Sequence, residues 1–109
     1  MDHDIAMKWA DALESGEYKQ TQGRLYDGKG YCCLGVLCDL VGLKPKYFPK
    51  AGFLFDSQGA SLPNSVLEKT GITSTYGCYP GNNLTNLNDV DGKSFPEIAE
   101  VIREHWEEL

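Results

Sequence analysis

Four thiols, Cys32, Cys33, Cys38 and Cys78, and two imidazoles, His3 and His105, are the side chains of this sequence most able to ligate a metal or attack an electrophile. Structural zinc sites use closely paired cysteines and histidines, and that pairing is missing. Cys33 and Cys38 stand five residues apart, which on a helix separates them by about 140° and keeps them from converging on one ion. A nucleophilic thiol needs a lowered pKa and a neighbouring base. The two histidines lie near opposite ends of the sequence, and nothing in the spacing pairs either with a cysteine. Adjacent residues on a helix diverge by about 100°, so a Cys32–Cys33 disulfide is not expected. The cysteines are therefore predicted to be reduced, buried and structural. No cofactor or metal is implied.

A second group of polar residues lies between Asn82 and Gly92, rich in Asn and Asp. Its acids do not follow the alternating register of a calcium loop. Such residues bond their own backbone and favour turns. On a loop, however, amides and carboxylates also read base edges and ribose hydroxyls, which nominates Asn86, Asn88 and Asp89 for ligand recognition. Asn83-Leu84-Thr85 matches a glycosylation triplet, without meaning in the absence of secretion.

The third group is aromatic and cationic. Tyr18, Tyr26, Tyr31, Tyr47, Phe48, Tyr76 and Tyr79 fall outside the long helical patterns. Packing is one use for them; stacking a base while a neighbouring cation meets a phosphate is another. Tyr18, Lys19, Gln20, Arg24, Tyr26 and Tyr47 are the candidates here. Arg24 is the foremost anion binder, with a surface salt bridge to Asp27 as its alternative. Asp39, Asn88 and Asp89 are conceivable polar catalysts, but no role attaches to any of them.

Charge is unevenly placed. The formal net charge is −6, yet residues 18–55 hold six bases against two acids and the remainder four bases against fourteen acids. Overall acidity opposes general nucleic-acid binding, which is driven by phosphate neutralisation. The local surplus suits a small phosphate-bearing ligand. No apolar run approaches the ~18 residues of a membrane span, and Met-Asp-His-Asp at the start lacks the layout of a signal peptide. A cytoplasmic protein without membrane contact is expected.

The elements that must position these groups are organised around Gly30 to Gly42. Between Tyr31 and Val41 only Asp39 is charged. Overlapping apolar faces at 0, 3, 4, 7 spacing predict a helix over Cys33–Val41 that is apolar almost all round and central to the core. A helix from Asp4 to Ser15 precedes it, with Ile5, Trp9, Ala12 and Leu13 as its stripe. Short strands are expected at Gln20–Gln22 and Arg24–Tyr26, with a turn at Asp27-Gly28. Leu43 to Lys50, with two prolines, reads as a loop. Phe53–Phe55 and Ala60–Leu62 read as a hairpin with a four-residue turn. Pro63–Thr70 is a short helix, Ile72–Gly81 is irregular or a strand, and Asn82–Gly92 is turns. Ser94 and Glu97 form a capping box for a last helix carrying Phe95, Ile98, Ala99, Ile102 and Trp106, whose acidic end should fray. At 109 residues, a single α+β domain results, about four helices around a central buried one with one or two small β-hairpins.

Read together, Trp9-x-x-Ala12-Leu13-x-Ser15-Gly16-x-Tyr18-x-Gln20, Gly30-Tyr-Cys-Cys-Leu-Gly-Val-Leu-Cys-Asp-Leu40, Leu62-Pro63, Leu87-Asn88-Asp89 and Ser94-Phe95-x-x-Ile98-Ala99-x-x-Ile102 resemble a family of small proteins encoded by bacteriophages and prophages. The likeness spans nearly the whole chain, and Cys-Cys-Leu-Gly-Val-Leu-Cys-Asp-Leu is its most specific part. What the resemblance implies is provenance, a phage protein acting inside a bacterium, where such proteins often blunt host immunity. The expectation is a non-enzymatic protein that sequesters a small nucleotide-derived immune signal, with a homo-oligomer enclosing the ligand between subunits. One alternative is an acidic inhibitor of a host defence protein, presenting Asp2, Asp4, Asp11, Glu14 and Glu17 with Glu97, Glu100, Glu104, Glu107 and Glu108. A small nucleotide hydrolase is the other.

Overall fold

Cys33, Leu34, Gly35, Val36, Leu37 and Cys38 are all buried in the computed structural model, which describes residues 1–109. They form α2, Cys33–Leu40, an eight-residue helix with no polar side before Asp39. Because every side is apolar, every side must be covered. One cover is α1, His3–Glu14, which buries Ala6, Trp9, Ala10 and Leu13. The Trp9 indole donates to the Cys33 carbonyl at 2.8 Å, so the largest side chain of α1 reaches the start of α2 without leaving a polar atom unpaired. Another cover is the backbone of residues 19–26. It crosses α2 so closely that a Cβ on Gly35 would overlap the Leu25 carbonyl oxygen, which itself accepts from Cys32 N–H at 3.1 Å.

After α2 come β1, Lys46–Phe48, and β2, Gly52–Leu54, paired antiparallel with Lys46 opposite Leu54, Tyr47 opposite Phe53 and Phe48 opposite Gly52. This corrects two expectations. The proline-flanked segment is a strand because Pro45 and Pro49 sit just outside the ladder, where a missing N–H costs no pairing. Phe53–Leu54 therefore pairs backward, and Ala60–Leu62 does not pair with it; Leu62 N–H bonds the Thr75 carbonyl instead. The turn that follows is tighter than predicted. Phe55 and Gln58 exchange both backbone bonds at 2.9 Å, with φ of +46° at Asp56 and +72° at Ser57. Two positive φ values are what a two-residue I′ turn requires, here without glycine.

Helix α3, Asn64–Thr70, begins after Pro63 and stops at Gly71, whose φ of +74° is the left-handed C-terminal signal. A small ribbon, β3 (Cys78–Tyr79) with β4 (Asn82–Asn83), leads into α4, Leu84–Asp89. Turns were expected over α4. Asn83 caps it through its side chain, and Leu84 and Leu87 bury against the core, which makes helix the cheaper solution. The last helix, α5 (Phe95–His105), has both halves of the Ser94–Glu97 capping box and buries Phe95, Ile98, Ala99 and Ile102. It packs along α1, with Arg103 bonded to Asp11 at 2.8 Å and paired with Glu14. Its end is not frayed: the chain turns on to Leu109, which is buried, and Thr73 holds the Leu109 carbonyl through N–H and hydroxyl.

The architecture is thus α+β, five helices and two small antiparallel ribbons around α2. The expected strands at Gln20–Gln22 and Arg24–Tyr26 reduce to single bridges from Gln20 and Tyr26 to Tyr31. No helix is long and apolar enough to cross a membrane.

Gly35→Ala should cost about 3 kcal/mol, since the helix and the Leu25 backbone must part to admit one methyl group. Urea unfolding of the two proteins measures it. A variant as stable as the parent would mean that the close approach is not what holds this segment on α2.

Candidate functional site

The nominated aromatics do come together, but as a packed row. Tyr18 and Tyr31 meet edge to face at 5.3 Å, Tyr31 and Tyr26 lie 4.6 Å apart, Tyr26 meets Phe53 at 4.9 Å and Phe53 meets Tyr47 at 5.1 Å. The Tyr18 hydroxyl donates to Asp39 at 2.5 Å. Burial first, and that carboxylate second, push the Tyr18 phenol above its ordinary range, so it stays protonated. Tyr18 and Tyr26 thus knit the 18–31 segment to α2 and to the β1–β2 hairpin. Only Tyr47, at the end of the row, is largely open, at 61%.

Arg24 is a latch rather than a free cation. Its Nη2 donates to the Ala51 and Phe53 carbonyls at 2.8 and 3.0 Å and so fastens the base of β2. The alternative salt bridge to Asp27 does not form either. Asp27 accepts instead from the Gly30 and Lys29 N–H groups and the Thr21 hydroxyl, and the Gly30 bond chiefly brings its carboxyl down to about 2. Lys19 is exposed, and its carbonyl accepts from Tyr31 N–H.

Asn88, expected to read a ligand, is part of the interior instead. It is fully buried and uses all four of its hydrogen-bonding positions inside the protein. Its Oδ1 accepts from Gln20 Nε2 at 2.9 Å and from Cys33 N–H at 3.2 Å; its Nδ2 donates to the Thr21 carbonyl and to Asp89, each at 2.8 Å. Cys32 supplies no side-chain cap to α2, so the amide of Asn88 does it from another helix. Gln20 spends its remaining amide hydrogen on the Lys93 carbonyl. Gln20, Asn88 and Asp89 therefore join the Asn-rich segment to residues 19–21 as structure. Asn86 sits apart from them on the exposed side of α4.

Two clefts lie elsewhere, one of them on the side of the hairpin facing away from the aromatic row. Successive strand residues point to opposite faces. Tyr47 and Phe53 turn toward Tyr26, so Lys46, Phe48 and Leu54 share the other face. With Lys44, Asp56 and Ser57 they line a cleft of about 270 Å3, in which Phe48 is 46% exposed. Lys44 also lies 3.7 Å from Asp39. Across the Asp56–Ser57 turn a second cleft, about 340 Å3, is walled by Asp56, Gln58, Ser61, Asn64, Ser65 and Thr75 over Leu62 and Pro63. Neither cleft is lined by Asp39, Asn88 or Asp89. Among the nominated residues none lines a cleft; Lys44, Lys46 and Phe48 do. The alternation Lys46-Tyr47-Phe48 carried the signal, since a strand that packs Tyr47 must turn its neighbours outward.

The thiols of α2 are removed from any surface chemistry. Cys32, Cys33 and Cys38 are buried, and burial pushes Cys32 up to about 11, Cys38 up to about 12 and Cys33 well above its ordinary value. The thiolate is the reactive form, so these groups are inert at neutral pH. Cys78 is exposed.

A disulfide reagent at pH 8 should titrate one thiol rapidly in the native protein, lost in Cys78→Ala, and four after denaturation; a second fast thiol would contradict the burial of α2. Asn88→Ala should lower stability by about 2–4 kcal/mol, because Cys33 N–H and the Thr21 carbonyl lose their partner. Asn86→Ala should change it by less than about 0.5 kcal/mol. Denaturant melts of the two variants compare them directly.

No curated protein and no solved structure matches the chain. Residues 1–106 match the model of a family described as a domain of unknown function, DUF8296, and the chain belongs to that family.

Proposed function

We propose that this is a phage-encoded protein of the infected cell's cytoplasm, which binds a small nucleotide-type ligand without turning it over and so withholds a host immune signal from its receptor. The observation that carries the reading is the cleft lined by Lys44, Lys46 and Phe48, two lysines, the first of them also paired with Asp39 at 3.7 Å, and an open aromatic ring beside the outer face of the hairpin. A phosphate between two lysines meets point charges with rotatable donors. A base laid on Phe48 gains stacking and buries apolar area. Asp56 and Ser57 on the rim offer an acceptor and a hydroxyl for a base N–H or a ribose. The −6 net charge repels extended polyanions, so a short anion held by local cations suits this surface better than nucleic acid. Binding without turnover needs slow release and no catalytic set. A second copy closing over the open side of the cleft would raise the buried ligand area.

The acidic-inhibitor reading has less support. Asp11 and Glu14 are engaged by Arg103, and Glu97 by its capping box, so these acids serve the α1–α5 pair first.

Calorimetry against cyclic dinucleotides and ADP-ribose-type nucleotides tests the proposal. Binding heat is expected from at least one, weakening with added salt and by tenfold or more in Lys46→Ala, roughly the worth of one charge-assisted contact. The ligand should be recovered intact after denaturation. Silence from every compound at protein far above micromolar, or recovery of a cleaved ligand, would overturn it.

A further inference from the structure

Resting on that reading, we infer that the ligand has two heads: a phosphorylated part over Lys44, Lys46 and Phe48, and a neutral, hydroxyl-rich sugar in the adjoining cleft beyond Asp56. The class is a nucleoside diphosphate sugar.

The two clefts share Asp56 and differ in chemistry. On one side are both lysines and the phenyl ring. On the other there is neither a cation nor an aromatic side chain, and Gln58, Ser61, Asn64, Ser65 and Thr75 present amides and hydroxyls instead. A phosphate in that second cleft would face the Asp56 carboxylate with no cation to offset it. A sugar would find what it needs, since a carboxylate accepts from neighbouring hydroxyls while amides both donate and accept.

The polar groups there are already arranged. Ser65 Oγ donates to Asp56 Oδ2 at 2.7 Å, and Ser61 Oγ to Gln58 Oε1 at 3.2 Å. The other Asp56 oxygen, Oδ1, and the Asn64 amide take no protein side-chain partner and are left for a ligand. The wall between the clefts is the two-residue turn, with Asp56 at φ +46° and Ser57 at φ +72°. Side chains adopt that backbone at a cost of about 1 kcal/mol or more each. A glycine would adopt it without strain, but it would remove the carboxylate common to both clefts. The clefts measure about 270 and 340 Å3, and a ligand bridging both would occupy a volume well inside the range usual for small-molecule sites, ~300–1,000 Å3.

The test is calorimetry with AMP, ADP, ADP-ribose and UDP-glucose on the parent, Lys46→Ala, Asn64→Ala and Ser61→Ala, each variant first checked for an unchanged melting temperature. At least one sugar conjugate should bind tenfold or more tightly than ADP. ADP-ribose against UDP-glucose tells a pentose from a hexose. Asn64→Ala or Ser61→Ala should erase that gain and leave ADP unaffected, whereas Lys46→Ala should weaken all four compounds together. If ADP binds and neither conjugate exceeds it, or if Asn64→Ala and Ser61→Ala leave the gain intact, the two-headed ligand is wrong while the nucleotide site stands. If none of the four binds, the two-headed ligand falls, and the nucleotide site falls with it when the cyclic dinucleotides are silent as well.

Discussion

A helix that is apolar on every side has to be covered on every side, and the rest of this small domain is arranged to cover α2. With eight residues and no polar face before Asp39, α2 cannot rest on the surface as an amphipathic helix does. The demand is met by unlike partners: Trp9 from α1, the backbone around Leu25, and Leu84 and Leu87 with Asn88 from α4. Gly35 is where the demand is sharpest, because a backbone rather than a side chain lies against it. The cysteines follow from the same demand. They are small apolar fillers at a crowded axis, and their burial keeps their sulfur chemistry out of reach.

The two faces of the hairpin differ. Its inner face, Tyr47 and Phe53, continues the aromatic row that binds it to the 18–31 segment, and Arg24 fastens it from beneath. Its outer face is left free to carry lysines and a phenyl ring. The family to which the chain belongs is described only as a domain of unknown function.

Where structure was set locally, it was readable in advance. The Ser94–Glu97 box, the apolar stripe of α5, the unbroken apolar run of α2 and the stop at Gly71 depend on neighbours within a turn or two. Where pairing was distant, it was not. Phe53 had two directions in which to find a strand partner, and two prolines argued against the one it took. Asn88 looked like a turn residue on a polar segment because its partners lie 55, 67 and 68 residues away. Arg24 and Tyr18 have the residue types of a binding site, yet carbonyls and a carboxylate nearby engage them. The outward parity of Lys46 and Phe48 was present all along, but it has meaning only once the segment is known to be a strand.

Asn88 also bears on the birth of the protein. The cap of α2 arrives 55 residues after the helix it serves. At ribosomal speeds of about 5–20 residues per second, the greasiest part of the nascent chain waits roughly 3–11 s for it. Until Asn88 is in place the first N–H of this apolar segment lacks its partner, and once outside the ribosome the segment is open to chaperones and to other unfinished copies. Fragments ending before α4 would inherit that exposure permanently, so the domain is one that a cell must make whole or discard.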